Sequence, residues 1–230
     1  MFIPDNLVYL LALIPFCIIW CGFFLKRKDL RKEMIFISPF IGIVSVFSSY
    51  FWWTKDWWRP LNITGTVVGV EDFIMGFAAG GIMAVIYKVL FNDALYSKYR
   101  IKLHRLAAFF LILFMAVLTA WLIFSIGLTT FWSSVVSMLF VILFIDYMRK
   151  DLIVDSLISG VAMLSISILF YVVILLVSDA WVDKTYLHGL SGVRVYNIPI
   201  EEFVFWFLAG MWVGPFYEYA LGKRLRRRPK

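Results

Sequence analysis

Residues 152–178 read LIVDSLISGVAMLSISILFYVVILLVS, with Asp155 the one charge in the run. Wound as a helix at ~1.5 Å per residue, the run is about 40 Å long, more than the roughly 30 Å of hydrocarbon in a bilayer. Working outward from it, six further apolar runs give seven predicted spans: Asn6–Leu25, Met34–Trp53, Val70–Leu90, Leu106–Ile126, Leu128–Met148, Leu152–Ser178 and Pro199–Gly222. The whole 230-residue chain is 63% hydrophobic, 19% aromatic and only 16% charged. A soluble domain is nearer half apolar and about a quarter charged, so both disorder and an ordinary globular core are excluded. Two cysteines and two histidines are too few for a disulfide framework or a Cys/His zinc site, and no metal is expected. The net charge of +7 would suit nucleic acid only as one soluble patch. The basic residues sit between apolar runs instead, so no nucleic-acid partner is expected. The predicted fold class is an all-α integral membrane protein.

Those basic residues set the expected orientation. Lys26, Arg27, Lys28, Arg31 and Lys32 follow the first span, and Lys88, Lys98, Arg100, Lys102 and Arg105 surround the end of the third. Arg149 and Lys150 follow the fifth, and the tail from Lys223 to Lys230 is strongly basic. Only Lys55, Arg59, Lys184 and Arg194 of the 22 basic residues fall on the other side. The positive-inside rule then predicts a multi-pass cell-membrane protein with its N-terminus outside and its C-terminus cytoplasmic. The first span lacks a basic leader and a small-residue cleavage site and is expected to be a retained helix. Trp52, Trp53, Trp57, Trp58, Trp132 and Trp181 are expected to form an interfacial aromatic belt. Asn62-Ile63-Thr64 matches a glycosylation sequon.

The chain also resembles itself. Glu71-Asp72-Phe73-Ile74-Met75-Gly76-Phe77-Ala78-Ala79-Gly80 returns as Glu201-Glu202-Phe203-Val204-Phe205-Trp206-Phe207-Leu208-Ala209-Gly210, and Arg27-Lys28-Asp29-Leu30 returns as Arg149-Lys150-Asp151-Leu152. The offsets are 130 and 122, which places an insertion of about eight residues between the two motifs. Two parallel three-helix repeats joined by a linker helix follow. Residues 1–91 form the first, 92–127 the linker, and 128–230 the second with its basic tail. The odd helix restores orientation, so both acidic motifs open a helix at the same, outer, membrane level.

Carboxylates at that depth are costly unless well placed or useful. A plainer reading exists: Pro199 suits a first helical turn, Asn197 precedes it, and acids there complement the helix dipole. Duplication alone would also repeat the pair. Successive helix residues diverge by about 100°, so an acid–base couple would take one carboxylate from each copy, such as Glu71 with Glu201.

The stretch Asn197-Ile198-Pro199-Ile200-Glu201-Glu202-Phe203-Val204-Phe205-Trp206 resembles the Pro-Ile/Leu-Glu-Glu-Phe-Leu-Phe-Phe signature of the lycopene cyclase domain, a small integral-membrane carotenoid cyclase found as separate subunits or as a tandem repeat. The resemblance implies cyclisation of a carotenoid end group with no net redox change and no cofactor. A proton adds to a terminal alkene, the ring closes, and a proton leaves. Such chemistry needs a neutral carboxylic acid in a dry pocket and a carboxylate to take the proton away. Glu201, Glu202, Glu71 and Asp72 are the candidate catalytic acids, Glu201 foremost because its copy keeps Pro199 and the aromatic run. Phe73, Phe203, Phe205, Trp206 and Phe207 are candidates for binding the substrate and shielding its carbocation. Pro199 and Asn197 are structural candidates. A lipophilic polyene drawn from the bilayer, the membrane lipids and other carotenoid-pathway enzymes are the partners implied. The first copy departs from the signature, with Gly69 in place of Pro and Met75-Gly76 in place of aromatics.

Other acids read as structural: Asp146, Asp155 and Glu218 are expected to form salt bridges or to snorkel, with Asp155, the deepest, a candidate for a helix–helix hydrogen bond. Lys88 is expected to snorkel to the interface. Cys17 and Cys21 are expected to pack. No lysine lies between Pro199 and Gly222 to hold retinal, and no Gly-x-Gly-x-x-Gly follows a strand to hold a flavin. A CAAX-type intramembrane protease would need an Arg near Phe205 and Trp206 and two later histidines. A non-enzymatic lipid or carotenoid binder, or a small transporter, is the alternative on the same scaffold.

Overall fold

The computed structural model describes residues 4–97, 101–178, 180–187 and 190–227. Lys98, Arg100, His188 and the tail beyond residue 227 lie outside them. α1 (Asp5–Ala12) and α2 (Ile14–Lys26) form one apolar rod, interrupted at Leu13 just before Pro15, which has no N–H to give. α3 (Arg31–Ser48) runs through a π-helical turn, Ser49–Trp53, into α4 (Thr54–Asp56). α5 (Val70–Phe91) is followed by β1 (Asp93–Ser97), then α6 (Ile101–Trp121), which ends in a second π-helical turn at Leu122–Ile126. α7 (Thr130–Met148), α8 (Ile153–Val177) and the short α9 (Ala180–Thr185) come next. A hairpin of β2 (Arg194–Val195) and β3 (Ile198–Pro199) leads into α10 (Ile200–Leu221) and β4 (Lys223–Arg227).

Six helical stretches among the described residues are long and apolar enough to cross a bilayer: Asp5–Lys26, Arg31–Asp56, Val70–Phe91, His104–Ile126, Thr130–Met148 and Lys150–Val177. The protein is an all-α membrane protein. α10 is as long as α5 but carries Glu201, Glu202, Glu218 and Pro215 among tryptophans and tyrosines, which lowers its hydropathy. It is wrapped by α5, α6, α7 and α8, so it presents little surface to lipid and has no need of an apolar exterior. Most exposed apolar side chains lie on other helices, as at Ile35 and Phe36 on α3, Phe109 and Phe110 on α6, and Val154 and Leu157 on α8.

Small residues let the inner helices close on their neighbours. A Cβ on Gly80 of α5 would stand 2.5 Å from Ile41 Cβ of α3, and one on Gly210 of α10 would stand 2.9 Å from Met163 Cβ of α8. Gly80 and Gly210 are 130 apart, and Ile41 and Met163 are 122 apart, the two offsets read from the motifs. α5 and α10 both stop at a left-handed residue, Asn92 (φ 53°) and Gly222 (φ 58°). The strands that follow pair antiparallel, Asp93 opposite Arg227 and Leu95 opposite Leu225. Short strands were not expected from the sequence; they form because each left-handed cap turns the backbone out of its helix, and the two freed segments satisfy each other.

A charged cluster joins α3, α5 and α10 at this end. Lys88 Nζ donates to Glu33 Oε1 (2.7 Å) and also to Glu218 Oε1, with all three side chains buried. Lys88 is 0% exposed, which corrects the snorkelling expectation: two carboxylates within reach compensate its charge, so it has no need of water. Glu218 is in an ion pair, as expected, and Asp155 accepts from Ser159 Oγ at 3.0 Å. Arg27 and Arg149 each pair with the aspartate two residues on and reach across to a backbone carbonyl near a helix end, Lys88 O (2.6 Å) and Glu218 O (3.4 Å). Near the opposite end Met75 and Glu202 border one recess, so α5 and α10 run side by side in the same direction.

Candidate active site

All four acids of the two motifs are buried, and they divide by position rather than by copy. The first acid of each pair turns to the loop that enters its helix. Glu71 Oε1 accepts from the backbone N–H of Ile63 (2.7 Å), and Glu201 Oε1 accepts from that of Ser191 (2.6 Å). The other oxygen of each, Oε2, is buried without a hydrogen-bond partner among the described residues. The second acid of each pair turns inward. Asp72 Oδ1 accepts from Ser49 Oγ (3.0 Å) and lies 3.5 Å from the Tyr9 hydroxyl, while Oδ2 accepts from Gly69 N and closes the helix start. Glu202 Oε1 accepts from Trp57 Nε1 (2.9 Å) and its Oε2 from the Tyr171 hydroxyl. Ser49 and Tyr171 are again 122 apart, the offset of the two basic motifs.

The entry to α10 explains Asn197 and Pro199. Tyr196 (φ 50°) and Asn197 (φ 66°) are the two residues of a tight hairpin turn that needs positive φ at both positions, and Arg194 donates to Asn197 Oδ1 at 2.8 Å. Pro199 is buried immediately before the first helical turn. The first copy has Gly69 there for a steric reason: a Cβ would lie 2.4 Å from Glu71 Oε2 and 2.7 Å from Asn62 Cβ. Asn62 itself is 3% exposed and donates to Thr66 O, so the sequon match is a buried structural turn.

A cavity of about 310 Å³ lies between α3, α5, α6, α7 and α10, at the lower end of the range for ligand sites. Its wall is almost wholly apolar, relieved by the hydroxyls of Ser45, Ser48, Thr119, Ser134 and Ser137. Trp53, Met75, Phe205 and Trp206 close its deep end and continue into a small recess of about 20 Å³, whose far wall includes Glu202, Trp57 and Tyr171. Phe205 stands edge-to-face with Trp53 (5.4 Å), Trp57 (5.0 Å) and Trp206 (5.6 Å). Trp206 Nε1 donates to the Tyr171 hydroxyl at 3.1 Å, and Tyr186 lies 3.4 Å beyond. Burial holds the Tyr186 phenol well above its ordinary range, so it stays neutral.

Of the expected substrate-contacting aromatics, Phe205 and Trp206 line the cavity. Phe73 fills the space over Gly42, Phe207 packs on Gly160, and the Phe203 ring stands 6.3 Å from that of Tyr171; none of these three lines the cavity. Trp57, Trp58 and Trp181 are buried among aromatic neighbours rather than belted at an interface, because their rings fill the space between the helix ends. Sequence reading missed Tyr171, Trp53 as a cavity residue, and Tyr9. Extending the 122 offset from Ser49 would have reached Tyr171.

A family model described as lycopene cyclase matches the chain in two segments, residues 6–90 and 128–220. The chain belongs to the lycopene cyclase family. It matches none of the curated proteins and none of the solved structures with which it was compared. Family membership supports an enzyme of the carotenoid cyclase type, and the apolar helices place that enzyme in a membrane.

Proposed function

We propose that this lycopene cyclase family member cyclises a polyene end group through the Glu202 carboxyl, by an intramolecular reaction without a cofactor. One observation carries the assignment: a buried carboxyl group borders a small recess that shares Trp53, Met75, Phe205 and Trp206 with the deep end of an apolar cavity. The acyclic end would enter the cavity and pass its terminal alkene between Trp53, Phe205 and Trp206 to the recess that Glu202 borders. Glu202 then transfers its proton to one alkene carbon, and a carbocation forms at the other. The neighbouring internal double bond closes the ring onto that carbon, and the cation moves into the new ring beside aromatic faces that favour it. A ring proton leaves to a carboxylate, so atoms and charge balance. Asp72 is our candidate acceptor; the Tyr9 hydroxyl beside it also lies 3.3 Å from Met75 Sδ of the cavity wall. Tyr171 and Trp57 orient the Glu202 carboxyl. We assign Glu71 and Glu201 to holding the entry loops.

The same proposal includes the finer architecture. α10 is the seventh span, and residues 1–91 and 128–230 are parallel copies related by an approximate twofold axis along the membrane normal, with 92–127 as linker. The paired glycines, the equivalent donors to Asp72 and Glu202, and the strand register centred on Leu95 and Leu225 support it. The distribution of basic residues supports an outer N-terminus and a cytoplasmic C-terminus in the cell membrane.

The test is cyclisation of lycopene in vesicles made in D₂O. The added proton comes from an acid that exchanges with solvent, and a different hydrogen is lost. Each ring formed should therefore carry one deuterium. Cyclised product without deuterium would refute proton-initiated closure, and correctly inserted protein that yields no product would favour the binder reading.

A further inference from the structure

We propose that α6, the helix lying between the two matched segments, is the selecting wall and the doorway of the cavity for the acyclic polyene end. This rests on the cyclase reading for the identity of the occupant and adds a residue set to it. The family model matches residues 6–90 and 128–220 and leaves α6 out, so nothing in the motifs assigns it a part in the chemistry. Yet Ile112, Met115, Ala116 and Thr119 all line the cavity. Their spacing of three, four and seven is one face of a helix. Thr119 Oγ1 lies 2.8 Å from Ser137 Oγ of α7, which fixes that face against the core.

The opposite side of the opening is α3, where Ile43 (52% exposed) and Phe47 (56% exposed) line the cavity and also face outward. Residues that belong to both the cavity wall and the lipid-facing surface mark a lateral mouth. A polyene dissolved in the bilayer would reach Glu202 through it without crossing water. Met115 and Ala116 line the same volume as Ile43 and Phe47, and the end group must cross it. The bulk of the two α6 residues then sets which end groups pass.

The experiment uses the full chain in lipid vesicles with lycopene as the probe. Trp52, Trp53, Trp206 and Trp212 line the cavity, so an entering polyene should quench tryptophan fluorescence whether or not it is cyclised. Ala116→Phe fills the passage and should weaken quenching at least about tenfold, with cyclisation falling in parallel. Val117→Phe adds the same bulk to the exposed, lipid-facing side of α6 and should leave both unchanged. Met115→Ala combined with Ala116→Phe returns volume to the passage and should restore most of the quenching. Where Ala116→Phe fails to insert, Ala116→Leu takes its place. Wild-type quenching in the filled variant overturns the doorway, and so does quenching that does not return in the double variant. Quenching that follows the passage volume in a protein making no cyclised product keeps the doorway and refutes the cyclase reading.

Discussion

Replacing Lys88 by methionine should destabilise the protein more than any other single change at the end of the bundle where α5 and α10 terminate. Lys88 is fully buried and donates to Glu33 of α3 and Glu218 of α10. Methionine preserves volume, but it leaves two buried carboxylates without their cation. Breaking a buried pair in this way costs about 3–5 kcal/mol. At roughly 2–4 °C per kcal/mol for a chain of this size, the thermal midpoint in detergent should fall by roughly 6–20 °C, read from tryptophan fluorescence. Adding Glu33→Gln and Glu218→Gln to Lys88→Met removes the uncompensated charge and should recover most of the loss. The proposed symmetry gives a sharper arm. Lys88 and Glu218 are 130 apart, and Glu33 and Asp155 are 122 apart, so the exchange Lys88→Glu with Glu218→Lys should place the new ammonium near Asp155. The exchanged protein should be more stable than Lys88→Met. A midpoint for Lys88→Met within about 2 °C of wild type would refute the reasoning, because the cluster would then hold nothing together.

Three further outcomes are expected. Tyr171→Phe removes the hydroxyl that donates to Glu202 and accepts from Trp206, and cyclisation should fall by roughly tenfold to a hundredfold while quenching by bound polyene persists. Gly80→Leu forces a side chain to within 2.5 Å of Ile41 Cβ; it should cost about 1–3 kcal/mol or more and lower the yield of folded protein by size-exclusion chromatography. A reporter fused after Lys230 should be active on the cytoplasmic side, and activity only outside would reverse the proposed orientation.

The membrane class was legible because a bilayer demands long apolar runs, and residues 152–178 alone meet that demand. The acidic motifs were legible as a pair, but not which member matters. Glu201 and Glu202 are neighbours about 100° apart on one helix, and only the packed structure decides that the first meets Ser191 and the second meets Tyr171 and Trp57. Lys88 was misread for a related reason. Its partners are 55 and 130 residues away, and a lysine near the end of an apolar run resembles one that reaches for water. Trp57, Trp58 and Trp181 look like an interfacial belt from position along the chain, whereas their burial depends on how α1, α8 and α9 close over them. The cavity left no local signal, since its wall takes a few residues from each of five helices.

The central claim is that the proton comes from Glu202, and Glu202→Gln tests it most directly. The amide keeps the shape and the acceptor for Trp57 but has no acidic proton to transfer. Removing one general acid typically costs a factor of roughly 10² to 10⁴, so ring formation from lycopene should fall by that much with polyene quenching intact. Glu201→Gln, measured beside it, keeps an acceptor for the Ser191 N–H and should retain activity within a few-fold of wild type. Full activity in Glu202→Gln together with its loss in Glu201→Gln would contradict the account and move the acid to the loop side of α10.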